Sequence, residues 1–92
     1  MNKCLLRLSM KLLSDDRLLQ SHLSLFFALF IAREKNGKQI KFKITRREIM
    51  VLGKISSIST YHRCINDLVR YNYIEYIPSY NHYTGTQVSF RI

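Results

Sequence analysis

Residues 45–71, TRREIMVLGKISSISTYHRCINDLVRY, decide the fold. Thr45 followed three residues later by Glu48 forms a capping box: the Thr45 hydroxyl can accept the Glu48 backbone N–H, and the Glu48 side chain can reach back to the Thr45 N–H. A short helix is expected to follow, with Ile49, Met50 and Leu52 inward and an end near Gly53. Lys54-Ile55-Ser56 then reads as a tight turn. Ser57 is suited to cap a second helix that runs to about Tyr71. On that helix Tyr61, Ile65 and Leu68 recur as a core stripe with Cys64 beside them. Ser59, Thr60, His62, Arg63, Asn66 and Arg70 are left to solvent.

Working outward, Leu23, Phe26, Phe27, Phe30 and Ile31 follow the spacing of one helical stripe, which predicts a helix over 20–36. Leu25, Ala28, Leu29 and Ala32 cover most of its remaining surface, so it is apolar nearly all round and must be buried on two sides. The second cover is either the N-terminal segment or another subunit. Asn36-Gly37 supplies the stop, since glycine readily takes the left-handed conformation beyond a helix end. Ile40–Ile44 alternates as a short strand, with Ile40, Phe42 and Ile44 on one face and Lys41 and Lys43 on the other. After Asn72, Tyr73 to Pro78 and Gln87 to Ile92 read as two strands of a hairpin around a polar turn centred on Gly85. Within 5–13 the pattern fits two structures. Leu6, Leu8, Met10 and Leu12 alternate as in a strand, yet Lys3, Arg7 and Lys11 fall four apart as on a helix.

The expected class is therefore α+β, mainly α, with a three-stranded antiparallel sheet. The order of elements is that of a winged helix-turn-helix. One domain accounts for residues 1–92: an N-terminal extension (1–19), a first helix (20–36), the helix-turn-helix (45–71) and the wing hairpin (73–92). A chain of 92 residues leaves no room for a two-domain enzyme. Its 11 aromatics and many Leu and Ile residues argue against disorder.

Charge narrows the partners. Fifteen Lys and Arg against six Asp and Glu give a net +9, which suits a phosphate-rich polymer. Of that surplus, +7 lies in residues 1–46 and peaks between Arg33 and Arg47, where seven basic residues face Glu34 alone. A helix lying in the major groove must present small or polar side chains on its outer side. Ser57, Ser59, Thr60, His62, Arg63 and Asn66 meet that need, and Arg63 and Asn66 are suited to bidentate contacts with guanine and adenine. Lys41, Lys43, Arg46, Arg47 and Lys54 are expected to hold phosphates, helped by the helix N-terminus after Thr45. Affinity would then come mainly from phosphate contacts, and selectivity from the helix.

Residues 45–88 also resemble the small winged helix proteins borne on mobile elements of anaerobic gut bacteria, which are similar to regulators of the MarR and GntR type. The matching runs are Ser57 with Thr60-Tyr61-His62, Cys64-Ile65 and Leu68, Tyr73-Ile74, and Tyr76 to Asn81 with Gly85 and Val88. Ser21 to Leu25 with Ala28-Leu29-Phe30 is similar as well. Asn72 stands where that family usually has glycine, and asparagine tolerates the left-handed conformation. Thr84 stands where a lysine commonly precedes the wing glycine, leaving Asn81, His82 and Tyr83 as wing residues. The resemblance implies a winged helix fold and DNA binding by the second helix of the motif.

The expected function is sequence-specific binding of double-stranded DNA, regulating transcription or recombination and excision of a mobile element. The alternative is a winged helix protein-interaction module in a replication or mobilisation complex. The surplus apolar face predicts a homodimer through residues 5–32. No enzyme, cofactor, small-molecule ligand or membrane partner is expected. His62-x-Cys64 lacks a usable zinc-ligand spacing, and His22, His82 and Cys4 supply no second pair. Cys64 reads as a small buried hydrophobe. Asp15-Asp16 reads as a carboxylate pair placed for a helix N-terminus. Two unpaired cysteines fit a cytoplasmic protein, and Arg7 and Lys11 break the apolar run that a signal peptide would need.

Overall fold

The computed structural model describes residues 3–79 and 85–91. Among them four helices and three strands follow in the order α1 (Lys3–Leu13), α2 (Gln20–Lys35), β1 (Phe42–Ile44), α3 (Arg46–Leu52), α4 (Ile58–Arg70), β2 (Ile74–Ile77) and β3 (Thr86–Phe90). The chain is thus α+β, mainly helical, with one three-stranded antiparallel sheet ordered β1-β3-β2. β3 sits in the middle, pairing Val88 with Phe42 on one side and with Tyr76 on the other. Phe90 meets Ile74 at the far end of the hairpin.

The ambiguous N-terminal segment is a helix. Leu5, Leu8, Ser9 and Leu12 face inward at helical spacing, whereas Leu6 and Met10, which a strand would have put beside Leu8 and Leu12, are 51% and 61% exposed. Strand pairing needs a free sheet edge, whereas a helix satisfies its own backbone. The N-terminal extension therefore supplies part of the core.

α2 runs through the centre of that core, but not with the face expected. Leu25, Phe26, Ala28, Leu29 and Ala32 are buried; Phe27 and Ile31 are 40% and 41% exposed, and Leu23 and Phe30 are half-buried. In a helix apolar on all sides, no sequence stripe says which side turns inward. Small side chains decide it here. A Cβ at Gly53 would lie 3.1 Å from the Ile49 carbonyl oxygen, 3.3 Å from that of Ser24 and 3.5 Å from the Ala28 Cβ, so the end of α3 closes directly onto the Ala28 side of α2. Phe26 and Phe42 then meet Phe90 with ring centroids 5.1 and 5.6 Å apart, joining α2 to the sheet.

Two further expectations need correction. Ile40 is not on the inner face of a strand: β1 begins at Phe42, and Ile40 is 81% exposed. The pairing with β3 starts at Phe42 opposite Val88 and runs through Lys43 and Gln87 to Ile44 opposite Thr86. Asp15 is not a partner for a helix N-terminus either. Its carboxylate accepts from the Arg17 guanidinium at 2.7 and 2.9 Å and from the Tyr73 hydroxyl at 2.8 Å. The Arg17 hydrogen bond holds the Asp15 carboxyl well below the usual carboxylate range. Burial, then Asp15 itself, pushes the Tyr73 phenol up to about 12. Arg17 also stacks 3.9 Å above the Tyr71 ring, so the α1–α2 connection is fastened to the chain leaving α4. No helix among the described residues is long and apolar enough to cross a membrane.

Candidate nucleic-acid interface

The N-caps expected for α3 and α4 both form, but the return bond from the Glu48 side chain to the Thr45 N–H, the other half of the capping box, does not. The Thr45 hydroxyl accepts the Glu48 N–H at 3.1 Å, and the Ser57 hydroxyl accepts the Thr60 N–H at 3.3 Å. Between them Lys54 takes φ 56°, a left-handed conformation uncommon outside glycine, which turns the chain sharply from α3 into α4. Asn72 does the same after α4, at φ 66°. Tyr61, Cys64, Ile65 and Leu68 form the buried side of α4, all at most 2% exposed. The Cys64 thiol donates to the Ser21 hydroxyl at 3.3 Å, consistent with a small buried side chain.

Opposite that stripe, Ser59, Arg63, Asn66 and Arg70 make a continuous exposed line at i, i+4, i+7 and i+11. The other anticipated residues lie off this line. His62 is exposed on one flank, its ring edge-on to Tyr61 at 5.3 Å. Thr60 is half-buried on the other flank, toward α2. The Ser57 hydroxyl is engaged as the cap and lies 2.9 Å from that of Ser59.

The acid on α4 is withdrawn from this face. Asp67 accepts from His22 Nε2 at 2.9 Å and from Arg70 at 2.6 Å, and the His22 hydrogen bond holds its carboxyl below the usual range. The Leu19 N–H donates to His22 Nδ1 at 2.9 Å, so the geometry assigns the ring proton to Nε2. His22 is 2% exposed. It therefore bridges α2 and α4; among the described residues there is no group of three His, Cys, Asp or Glu side chains that could hold a metal ion. Nothing in a spacing of 45 residues announces this bridge.

Cations flank the start of α4 on two sides. Arg46 and Arg47 line a groove between α3 and α4 together with Met50, Val51, Ile55 and Ile58. Lys54 lines a second hollow with Ser57, Thr60, Ser21 and Ser24. Lys43 points outward from β1, and its side chain passes 3.9 Å from where a Cβ on Gly85 would stand, which places it beside the β2–β3 turn. Lys41 is exposed just before β1 and lines neither hollow. The anticipated wing residues Asn81, His82, Tyr83 and Thr84 lie outside the described residues.

Lys35, one of the seven basic residues between Arg33 and Arg47, lies at the end of α2 across a hollow from Arg47 and adds to the same basic face. Sequence reasoning missed one feature here. Val51 and Ile58 are 72% and 49% exposed beside the arginines. Their helical spacing gave no sign of it, because the turn between α3 and α4 decides which side each presents. No family model, curated protein or solved structure matches this chain.

Proposed function

We propose that this chain is a winged helix protein that binds double-stranded DNA and regulates transcription or recombination of a mobile element in the cytoplasm. The observation that supports this most is the exposed line of Ser59, Arg63 and Asn66 on α4, with Arg46 and Arg47 on one flank of the helix start and Lys54 on the other. In this reading α3 and α4 are the helix-turn-helix and β2–β3 the wing. α4 enters the major groove with Arg63 and Asn66 toward base edges, while Arg46, Arg47, Lys54, Lys43 and Lys41 meet phosphates. The Arg70 guanidinium, 2.6 Å from Asp67, offsets the one carboxylate that α4 carries.

The test is fluorescence anisotropy on duplex DNA at graded salt. Binding should steepen as salt falls, and Arg46→Ala with Arg47→Ala should weaken it for every sequence and lower the salt slope by about 2. Arg63→Ala should cost roughly 1–3 kcal/mol and relax sequence preference. No binding at about 50 mM salt overturns the reading, since phosphate contacts are strongest there.

A homodimer through residues 5–32 belongs to the same reading, centred on the exposed Phe27 and Ile31 of α2, and would call for a two-fold related operator. Sedimentation should show a dimer that Phe27→Glu dissociates; a monomer at high micromolar concentration removes this part. Exposed Val51 and Ile58 support a second reading, in which the α3–α4 groove receives a protein partner instead of DNA. That reading predicts no salt-dependent duplex binding.

A further inference from the structure

α1 presents three sectors around its axis: one buried in the core, one exposed and apolar, and one basic, whose Lys11 also lies 5.6 Å over the Tyr73 ring. Leu5, Leu8, Ser9 and Leu12 are buried. Leu6, Met10 and Leu13, at i, i+4 and i+7, form an apolar strip 51%, 61% and 63% exposed. Lys3, Arg7 and Lys11, four apart, form a basic strip alongside it. Beyond the basic strip lies a shallow hollow lined by Cys4, Arg7, Leu8, Lys11 and Arg91, with no acidic side chain in its wall. Arg91 reaches it from the end of β3 and pairs with exposed Glu75 at 3.5 Å. This surface is separate from the start of α4. The C-terminal end of α1, where Lys11 lies 5.6 Å over the Tyr73 ring, meets the chain leaving α4, a helix about 20 Å long whose other end holds Ser57.

We infer that this face of α1 receives an acidic amphipathic helix of a partner protein. Its apolar ridge would lie on Leu6, Met10 and Leu13, and its carboxylates over Lys3, Arg7 and the hollow between Lys11 and Arg91. Charge selects this occupant. α1 carries no acidic residue, so a second copy laid against it would meet the cations with none of its own acids from that helix. Of the six acidic residues, Asp15, Glu34, Asp67 and Glu75 already have cationic partners, which leaves a second copy little but Asp16 and Glu48 to offer this face. A bilayer surface suits a helix whose apolar side enters the lipid with cations on both borders. Here the main apolar side is turned into the core, and the cations border the exposed strip on one side only. A helix with adjoining leucine and glutamate strips matches that arrangement. The self-association proposed above is centred instead on Phe27 and Ile31 of α2.

A fluorescein-labelled synthetic peptide tests this: a helical 20-mer with leucines at alternating three- and four-residue spacing and glutamates on the adjoining face. Anisotropy against the full chain should show saturable binding that weakens with salt. Leu6→Glu with Met10→Glu, and separately Arg7→Glu with Lys11→Glu, should each weaken it at least tenfold. The Leu6→Glu with Met10→Glu variant should keep the parent's melting temperature, because both side chains are exposed. Arg63→Ala should leave peptide binding unchanged. Absence of binding, or binding that survives both double variants, overturns the inference. So does a result in which these variants abolish binding to phosphatidylserine vesicles or dimer formation while the peptide never binds.

Discussion

α2 and α4 are the two long helices at the centre of the molecule, of 16 and 13 residues, and they differ in how much their sequences say. α4 has one apolar stripe, a serine cap and a polar outer line, and each feature lies where its spacing puts it. α2 is apolar on every side and begins at Leu19, which makes no side-chain cap hydrogen bond. Its orientation follows from what packs on it: the end of α3 against Ala28 and the Phe90 ring against Phe26. Amphipathic helices orient themselves, whereas uniformly apolar ones are oriented by their neighbours.

Paired substitutions within α2 give the largest expected effect. Leu29→Ala should cost about 2–5 kcal/mol, because its side chain is fully buried and leaves a cavity. Phe27→Ala, on the side the sequence favoured, should cost well under half as much. Urea unfolding measures both, and equal losses would reverse the orientation of α2.

The bond joining the two helices comes next. Asp67→Ala leaves the buried His22 Nε2–H without its acceptor and should cost about 1–3 kcal/mol at neutral pH. Because folding lowers the Asp67 pKa, the unfolded chain binds more protons in acid, and this contribution is present above about pH 4. It fades as pH falls through the lower folded value. Melting curves from pH 7 to 2 should therefore converge between parent and variant at the acid end. Parallel curves would show that the His22–Asp67 bond contributes nothing to the coupling of α2 and α4.

The smallest effect separates the two helix starts. Ser57→Ala should lose about 1 kcal/mol, a typical capping contribution. Leu19→Ala should lose less, since the N–H bonded to His22 Nδ1 belongs to the backbone and survives the change. If both cost the same, the cap at Ser57 is not what fixes the start of α4.

Much of the candidate interface was legible because its signals are local. Thr45 to Glu48, Ser57 to Thr60, the Tyr61–Ile65–Leu68 stripe and the left-handed Asn72 each involve residues no more than seven apart. Thr60 departs from its expected exposure because α2 lies beside it, whereas Ser57 stays exposed with its hydroxyl engaged as the cap. Ile40 misled because alternation marks a strand only as far as a partner strand extends. α1 stayed open because residues 5–13 alternate apolar and polar side chains while Lys3, Arg7 and Lys11 also fall four apart, so two periods fit at once and only the neighbours select one.

By itself the sequence determined the α3–turn–α4 unit, the alternating strands, the excess of positive charge and its concentration in the first half of the chain. Caps, turn conformations and single-stripe periodicity act over one or two helical turns, so neighbouring residues suffice to specify them. Only the tertiary structure decided which side of α2 faces inward, that α1 is a helix completing the core, and that Asp15 and Asp67 are held by Tyr73 and His22. It also set Arg46, Arg47 and Lys54 around the start of α4. Each of these depends on side chains from distant parts of the chain competing for the same buried space and the same hydrogen-bond partners, a contest that no local spacing records.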